Sequence, residues 1–307
     1  MPINTDAIRF VDSHVHLQAA EFRPHLDEIL SRAADAGVKL LVSNGTRESD
    51  WEELATLARR NPCVVPCFGL HPWYAGERSS RWLRDLERYL TEYPSAVGEI
   101  GLDRWIEPRN EKAQDEVFRV QLDLARSLGR PAVIHCVRAW GRIDDVLRDQ
   151  KPFPSGLLFH AFGGPVEILC SLIKKGAFFS FSGTALKPTN TRVRAAVRAV
   201  PRDRLLLETD APDMLPPEPF RSHWISGPDG RPINEPSNLA EIARGVADLR
   251  GESIDRLAKT TWENAQRLFS GLLNEDRSPG SCRKSSPSGS TLCQPCARHE
   301  RKGDPPG

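Results

Sequence analysis

The sequence predicts an α/β protein with a (β/α)8 barrel of the TIM-barrel type, and two observations support this prediction. Short apolar runs alternate with amphipathic segments about eight times over roughly 260 residues, close to the usual size of such a barrel. Histidines and carboxylates follow the carboxyl ends of these runs, where barrel enzymes carry their chemistry. A doubly wound open sheet shows the same alternation, but the position of the reactive residues favours the barrel.

Eight apolar runs have the length and composition of strands that are buried on both faces. They span residues 8–12, 38–43, 64–69, 96–101, 132–136, 157–160, 177–182 and 205–209. Segments with helical periodicity lie between them, at 26–36, 51–60, 82–92, 114–128, 143–149, 166–174 and 191–200. Two more, at 238–249 and 254–268, follow the last strand, and Asn238 is a candidate N-cap for the first of these.

The composition changes after about Leu273. Residues 274–307 number 34, of which 15 are serine, proline or glycine, and Leu292 is their one large aliphatic residue. Such a segment buries too little apolar surface to offset the entropy that ordering removes. We therefore expect a barrel over residues 1–273 and a disordered tail over 274–307.

Charge and cysteine content exclude several classes of protein. Lys and Arg total 42 against 41 Asp and Glu, so a broad basic nucleic-acid surface is not expected, although a local basic rim is possible. No run approaches the ~18 apolar residues of a membrane span, and residues 1–9 lack a secretory signal pattern. Seven cysteines do not suggest a disulfide framework. We expect a cytoplasmic monomer or small homo-oligomer that has no nucleotide cofactor, because no glycine-rich phosphate-binding motif is present.

Most of the histidines follow predicted strands. Five of the eight do so, whereas His25, His223 and His299 lie elsewhere. The reactive residues at or just after strand ends are His14, His16, His71, Glu99, Asp103, His135, His160 and Asp210. Because the carboxyl ends of barrel strands meet at one mouth, we expect these side chains to converge there.

Imidazoles and carboxylates gathered at one mouth indicate a metal site. His14 and His16 are two residues apart on an extended strand, so they share a face, and with Asp210 they can hold one cation. Glu99 has two oxygens and can bridge to a second cation held by the two later strand-end imidazoles. The predicted metal ligands are therefore His14, His16, Glu99, His135, His160 and Asp210.

Two bridged cations would share a water or hydroxide and lower its pKa towards ~7. The mixed ligand set suits Zn, Mn, Co or Ni, whereas Mg prefers more oxygen ligands, and the sequence does not select among them. We expect Asp210 to orient or deprotonate the water, so Asp210 and the bridging Glu99 are the predicted catalytic residues. Phosphodiester hydrolysis and ester or amide hydrolysis both remain open, because the same hydroxide serves either reaction.

Aromatic and basic residues alternate on the loops after the third, fourth and fifth strands: Trp73, Tyr74, Arg104, Trp105, Arg138 and Trp140. This mixture suits single-stranded nucleic acid, and ordinary loop packing is the alternative. We expect Arg104 and Arg138 to contact the substrate. His71 is expected either to bind a phosphate oxygen or to support a ligand imidazole, and Asp103 either to support His135 or to form a turn.

Nine motifs along the chain together resemble those of one family. They are Asp12-x-His14-x-His16-Leu17, Gly69-x-His71-Pro72, Gly98-Glu99-Ile100-Gly101-Leu102-Asp103, Ile134-His135, His160-Ala161-Phe162-Gly163-Gly164, Phe181-Ser182-Gly183, Glu208-Thr209-Asp210-Ala211-Pro212, Asn234-Glu235-Pro236 and Asn264-Ala265-Gln266-Arg267-Leu268-Phe269. With them, the chain resembles the TatD family of metal-dependent deoxyribonucleases among the amidohydrolase-like barrels. The resemblance extends from about Arg9 to Phe269.

This resemblance implies two divalent ions at the six predicted ligands and removal of nucleotides from the 3′ end of single-stranded DNA. The alternative that it leaves open is an ester or amide hydrolase, such as a D-aminoacyl-tRNA deacylase or a small-molecule amidohydrolase. Two positions depart from the family pattern. Arg104-Trp105 replaces a stretch that is often aromatic, and Gly163 replaces a common serine. Neither position is a predicted ligand, so these departures bear on substrate fit.

Overall fold

The (β/α)8 prediction is confirmed by the computed structural model, which describes residues 8–273. The tail predicted over 274–307 lies outside the described residues. Eight strands form one parallel sheet in which each strand pairs with the next along the chain. Their bounds are β1 (Phe10–Val15), β2 (Val38–Asn44), β3 (Val64–Phe68), β4 (Ala96–Asp103), β5 (Ala132–Val137), β6 (Leu157–Phe159), β7 (Ala177–Phe181) and β8 (Leu205–Leu207).

The helices follow the strands as the sequence predicts. They are α1 (Leu26–Asp35), α2 (Trp51–Arg60), α3 (Trp82–Glu92), α4 (Glu111–Ser127), α5 (Trp140–Arg148), α6 (Leu169–Lys174), α7 (Thr191–Ala199), α8 (Leu239–Arg250) and α9 (Ile254–Leu268). Helix α4 begins earlier than predicted because Asn110 caps it, accepting a hydrogen bond from the N–H of Ala113 at 3.0 Å. Within residues 8–273, no helix is long and apolar enough to cross a membrane.

Two apolar clusters support the barrel. One contains inward-facing residues from all eight strands: Val11, Leu40, Val42, Val65, Cys67, Ala96, Val133, Leu158, Phe178 and Leu206. Helix α9 contributes Trp262, Ala265 and Leu268 to the same cluster. A larger cluster joins the strands to the surrounding helices. In β1, β4 and β5 the inner cluster uses residues near the start of the strand, Val11, Ala96 and Val133, so the carboxyl ends of these strands are left for polar side chains.

The barrel closes where β1 meets β8, and side chains supply part of the connection. The buried Asp12 carboxylate accepts hydrogen bonds from the main-chain N–H of Thr209 at 2.9 Å and from the Thr209 hydroxyl. The N–H of Asp210 donates to the main-chain oxygen of His14 at 3.0 Å. These contacts, here called the β1–β8 seam, hold Asp210 beside the histidines of the first strand.

The long loop after β8 has structure of its own. It contains a two-stranded antiparallel ribbon, β9 (Ile225–Ser226) and β10 (Pro232–Ile233). The prediction that Asn238 caps the next helix is wrong, because its side chain has other partners. The side-chain Oδ1 of Asn238 accepts hydrogen bonds from the main-chain N–H groups of Ser222 at 2.9 Å and His223 at 3.0 Å, so this residue connects the loop to the barrel instead.

Gly101 allows β4 and β5 to approach each other. Its φ is 148°, a value that other residues rarely adopt, and a Cβ on Gly101 would lie 1.9 Å from the main-chain oxygen of His135. Any side chain at this position would therefore push β5 away from β4, together with the imidazole of His135.

We predict that Gly101→Ala destabilises the protein by at least about 3 kcal/mol, because strained backbone and overpacking act together. Gly141→Ala is the matched control. Gly141 lies in α5 and has open space around it, so alanine there is expected to be neutral or stabilising by up to about 1 kcal/mol. Urea denaturation of both variants measures the difference. Equal midpoints would show that β4 and β5 tolerate a wider separation.

Candidate metal centre

The carboxyl ends of the strands bring all six predicted ligands together at the mouth of the barrel. His14 lies in β1, Glu99 in β4 and His135 in β5, whereas His160 and Asp210 follow β6 and β8. The side chains of Glu99 and His14 are buried, with exposures of 3 % and 0 %. The chain therefore places its polar groups at the end of the barrel that the inner apolar cluster leaves free.

One group of donors has the spacing of a tetrahedral metal site. The Nε2 atoms of His14 and His16 are 3.3 Å apart, and each is 3.5 Å from Oδ1 of Asp210. Oε2 of Glu99 lies 3.4 Å from His14 Nε2 and 3.6 Å from His16 Nε2. Four donors placed about 2.1 Å from an ion on a tetrahedron are about 3.4 Å apart, so these residues fit a divalent cation.

A second group meets the other oxygen of Glu99. Oε1 of Glu99 lies 2.9 Å from Nδ1 of His135 and 2.8 Å from Nε2 of His160. These two ring nitrogens are 3.2 Å apart. The rings of His14 and His160 stack at 3.8 Å, so the two groups are in direct contact across the mouth.

The charges at this site also favour cations. Within residues 8–273, Glu99 and Asp210 form ion pairs with histidines alone, and no lysine or arginine neutralises either one. Burial alone would raise the pKa of Glu99, but the positive charges of the surrounding imidazoles, His160 first, hold it well below its usual value. Two ionised carboxylates in a buried site require a positive partner, which a metal ion supplies.

Within residues 8–273, two of the ring nitrogens that point away from the centre have a hydrogen-bond partner, whereas Nδ1 of His14 and Nδ1 of His160 are buried without one. Nδ1 of His16 lies 2.8 Å from the main-chain oxygen of Asn44 at the end of β2. Nδ1 of His160 lies 3.8 Å from Oε1 of Glu208, which is too far for a hydrogen bond, and this oxygen instead accepts from the N–H of Ala161 at 2.7 Å. Acceptors of this kind fix the orientation and tautomer of a ligand imidazole.

Asp103 fulfils both roles that the sequence left open. Its Oδ2 lies 3.0 Å from Nε2 of His135 and accepts a hydrogen bond from Trp73 Nε1 at 2.8 Å. Its Oδ1 accepts from the N–H groups of Trp105 at 2.6 Å and Ile106 at 3.1 Å. One carboxylate therefore orients His135 and shapes the loop after β4.

His71 is closer to the centre than the sequence required. Its Nε2 lies 3.4 Å from Oε1 of Glu99, and its ring meets that of His135 edge-on at 4.4 Å. Burial lowers the pKa of His71 to about 4, so the ring is neutral. Nδ1 accepts a hydrogen bond from the N–H of Trp73 at 3.2 Å, which leaves the proton on Nε2. In this tautomer, His71 presents a donor to the centre rather than a metal-binding lone pair.

The two arginines predicted to contact substrate lie on the rim in different settings. Arg104 is exposed and pairs with Glu111 at 3.2 Å. The guanidinium of Arg138 lies over the ring of Trp105, with Cζ 3.8 Å from the ring centroid. Arg138 is therefore available to bind an anion, whereas Arg104 would first have to release the carboxylate of Glu111.

A family comparison agrees with this arrangement. The model of the family described as TatD related DNase matches residues 11–270. The chain belongs to the TatD family. It is therefore a metal-dependent hydrolase that acts on ester bonds, with His, Glu and Asp groups suited to metal at its mouth.

Individual TatD-family relatives match over nearly their whole length. The 3′-5′ ssDNA/RNA exonuclease TatD of Erwinia tasmaniensis is 34 % identical over 262 residues, which cover 84 % of this chain and 98 % of the relative. The uncharacterized metal-dependent hydrolase YabD of Bacillus subtilis is 30 % identical over 84 % of this chain and 98 % of its own. The crystal structure of YJJV, a TatD homologue of Escherichia coli, superposes with a TM-score of 0.78 and 27 % identity, covering 86 % of this chain and 99 % of the other.

Two residues around the proposed metal centre, Asn44 and Asp12, have roles that the sequence does not predict. Asn44 contacts His16 through its main-chain oxygen, which no side-chain pattern reveals. Asp12 belongs to the first motif, but its role in the β1–β8 seam depends on Thr209, nearly two hundred residues away in the chain. Asn44 directly follows the apolar run predicted at 38–43 and ends β2, so its position at a strand end was the one signal that could have indicated it.

We predict that divalent metal stabilises the chelator-treated protein. Zn²⁺ or Co²⁺ at about 100 times its dissociation constant should contribute about 2.7 kcal/mol, which raises the Tm by roughly 5–10 °C. Glu99→Gln should remove most of this rise, whereas Glu111→Gln, at an exposed position on α4, should keep it. Thermal unfolding with and without metal measures this rise in Tm. An unchanged wild-type Tm would mean that the buried carboxylates are not neutralised by metal.

Proposed function

We propose that this TatD-family protein is a divalent-metal-dependent deoxyribonuclease that removes nucleotides from the 3′ end of single-stranded DNA. The observation that carries the proposal is the position of Glu99. Its Oε2 faces His14 and His16, whereas its Oε1 faces His135 and His160. A carboxylate shared between two pairs of imidazoles suits two divalent ions, and two-metal sites are common in nucleases.

The proposed ligands divide into two sets that share this carboxylate. The first ion is assigned to His14, His16, Glu99 and Asp210, and the second to Glu99, His135 and His160. Zn, Mn, Co and Ni suit these donors, and Mg suits them less because it prefers oxygen. Residues 1–273 are proposed to form this catalytic body, and residues 274–307 are proposed to be dispensable for it.

Two cations bound in these positions would acidify a water molecule and polarise the scissile phosphoryl group. Oδ1 of Asp210 faces His14 and His16, so its other oxygen is the base that we propose takes the proton of the attacking water. Glu99 and Asp210 are thus the proposed catalytic residues. The β1–β8 seam would keep Asp210 in position during this transfer.

Substrate is proposed to meet His71 and the two rim arginines. The Nε2–H of His71 points towards Glu99 and would donate to a non-bridging oxygen of the phosphate. Arg138 would neutralise a phosphate beyond the scissile one, and Arg104 would do the same after releasing Glu111. The relative from Erwinia tasmaniensis is named as an exonuclease for single-stranded DNA and RNA, which supports the choice of a nucleic-acid substrate.

We predict that the chelator-treated protein cleaves a 3′-labelled single-stranded oligonucleotide only when Mg²⁺, Mn²⁺, Co²⁺ or Zn²⁺ is restored. Glu99→Gln should lose at least about 10³-fold in rate, because both proposed ions depend on this carboxylate. Gel analysis of the products gives the rate of cleavage and shows from which end of the strand nucleotides are removed. If no metal supports cleavage, but the protein hydrolyses a D-aminoacyl-tRNA or a small cyclic amide, the function moves to the ester or amide class.

A truncated chain that ends at Leu273 tests the proposed boundary of the catalytic body. We expect its cleavage rate and Tm to match those of the full chain, because residues up to Leu273 already complete the eight-stranded barrel and its inner apolar cluster, against which Leu273 packs. The same oligonucleotide assay and thermal unfolding are the measurements. Insoluble protein, or loss of metal-dependent cleavage, would show that residues beyond 273 belong to the functional unit.

A further inference from the structure

Exposed tryptophans mark the mouth of the barrel. Within residues 8–273, four large apolar side chains are markedly exposed: Trp73 at 46 %, Trp105 at 60 %, Leu128 at 40 % and Trp224 at 54 %. Trp73 and Trp105 lie on the loops that directly follow β3 and β4, at the same end of the barrel as the metal centre, whereas Trp224 lies next to β9 in the long loop after β8. Large aromatic rings left in water at a functional mouth indicate a binding surface rather than a core.

Trp105 is stacked with a cation. The guanidinium of Arg138 lies over its ring, with Cζ 3.8 Å from the centroid. Arg138 directly follows β5 and has a φ of 55°, a left-handed conformation that residues with a side chain rarely adopt. In the described part of the chain, no carboxylate lies within ion-pair distance of Arg138. The guanidinium of Arg138 therefore lies against an exposed indole without a carboxylate partner among the described residues.

Trp73 and Trp105 are attached to the metal centre through one carboxylate. Asp103 accepts a hydrogen bond from the indole Nε1 of Trp73 at 2.8 Å and another from the main-chain N–H of Trp105 at 2.6 Å. The same Asp103 oxygen that meets Trp73 lies 3.0 Å from Nε2 of His135. Trp73 also meets His71 edge-on at 5.1 Å. The indole of Trp73 and the main chain of Trp105 are therefore held in place beside the proposed metal centre.

We propose that Trp73, Trp105 and Arg138 form a stacking platform for unpaired bases of single-stranded nucleic acid. Below, these three residues are called the tryptophan platform. A base would stack on the exposed indoles, and Arg138 would bind the adjoining phosphate. The strand would then leave the metal centre across the loops that follow β3, β4 and β5. This inference rests on the proposed nuclease function, because it specifies how the same site selects its substrate.

The chemistry of the tryptophan platform favours this partner over others. Every nucleobase has a π face, and base-to-aromatic stacking tolerates any sequence. The exposed guanidinium of Arg138, which has no carboxylate partner among the described residues, can bind an anion next to the aromatic surface, and a polynucleotide supplies a phosphate at each step. In a duplex, the bases stack on each other and do not present their faces, so double-stranded DNA should be a poor ligand. A substrate with no base, such as an aminoacyl ester of a small alcohol, would leave the indoles without a partner.

The test is a binding cycle that removes the base and the indole separately. Chelator-treated protein is titrated into a 5′-fluorescein-labelled oligothymidylate of about 12 nucleotides, and anisotropy reports binding without cleavage. An abasic site is placed at each position from the 3′ end in turn. For wild type, we expect at least one abasic position to weaken binding about 5- to 100-fold. In Trp105→Ala, the intact strand should bind weaker by a similar factor, and the abasic penalty at that position should disappear.

Trp224→Ala is the matched control. Trp224 is equally exposed and also lies under an arginine, with Cζ of Arg221 5.4 Å from its ring, but it is on the loop after β8 and has no contact with Asp103. This variant should keep wild-type affinity and the full abasic penalty. Arg138→Gln should weaken binding and make the slope of log affinity against log salt less steep by about one phosphate contact.

Several results would overturn the tryptophan platform. These are no measurable binding by wild type, equal affinity for duplex and single strand, an abasic penalty that persists undiminished in Trp105→Ala, or an equal loss in Trp224→Ala. Failure of the proposed function has a different signature, because it appears as absence of metal-dependent cleavage of the unmodified strand. The binding cycle then still decides whether the tryptophan platform recognises unpaired bases.

Discussion

The structure depends on one buried carboxylate, Glu99, whose two oxygens face two different pairs of imidazoles. A carboxylate in a buried site without a lysine or arginine is unfavourable unless positive charge is brought to it. Around Glu99, that charge comes from histidines and, in a metal-dependent hydrolase of the TatD family, from metal. The arrangement of the mouth follows from this constraint. Each oxygen of Glu99 faces two imidazoles, and these rings have to be held in the correct orientation.

Orientation is supplied by contacts that lie one step farther from the centre. Asn44, Asp103 and Glu208 each place an oxygen near the outward nitrogen of a histidine, although the contact from Glu208 is long at 3.8 Å. The backbone contributes as well. Arg138, Ala161 and Asp210 have φ values of 55°, 43° and 55°, and they lie just after β5, β6 and β8, within three residues of a proposed ligand or at one. Strain of roughly 1–3 kcal/mol per residue is typical of functional sites, where a packed scaffold can maintain it.

Much of this architecture could be predicted from the sequence, because it depends on local periodicity. Helices α2, α3 and α9 have the predicted bounds, since their apolar stripes and polar flanks are unambiguous. The six proposed ligands could be expected to lie together from their place at or after strand ends, because a barrel directs all strand ends to one mouth. His14 and His16 share a face for the simple reason that side chains alternate along a strand.

What could not be predicted depends on contacts between distant parts of the chain or on the main chain. Asp103 looked like either a turn residue or a support for His135, and only the fold shows that its two oxygens do both. Asn238 stands where a cap is expected, yet its side chain is taken by the loop after β8. The guanidinium of Arg138 reaches Trp105 because of a left-handed backbone, which no pattern of residue types encodes.

Anomalous diffraction at the metal edge from crystals grown with Zn²⁺ or Co²⁺ tests the central claim most directly. The account predicts two peaks at the mouth, one within bonding distance of His14, His16 and Asp210 and the other within bonding distance of His135 and His160, with Glu99 touching both. A single peak that does not contact Glu99, or metal bound away from the mouth, would contradict it.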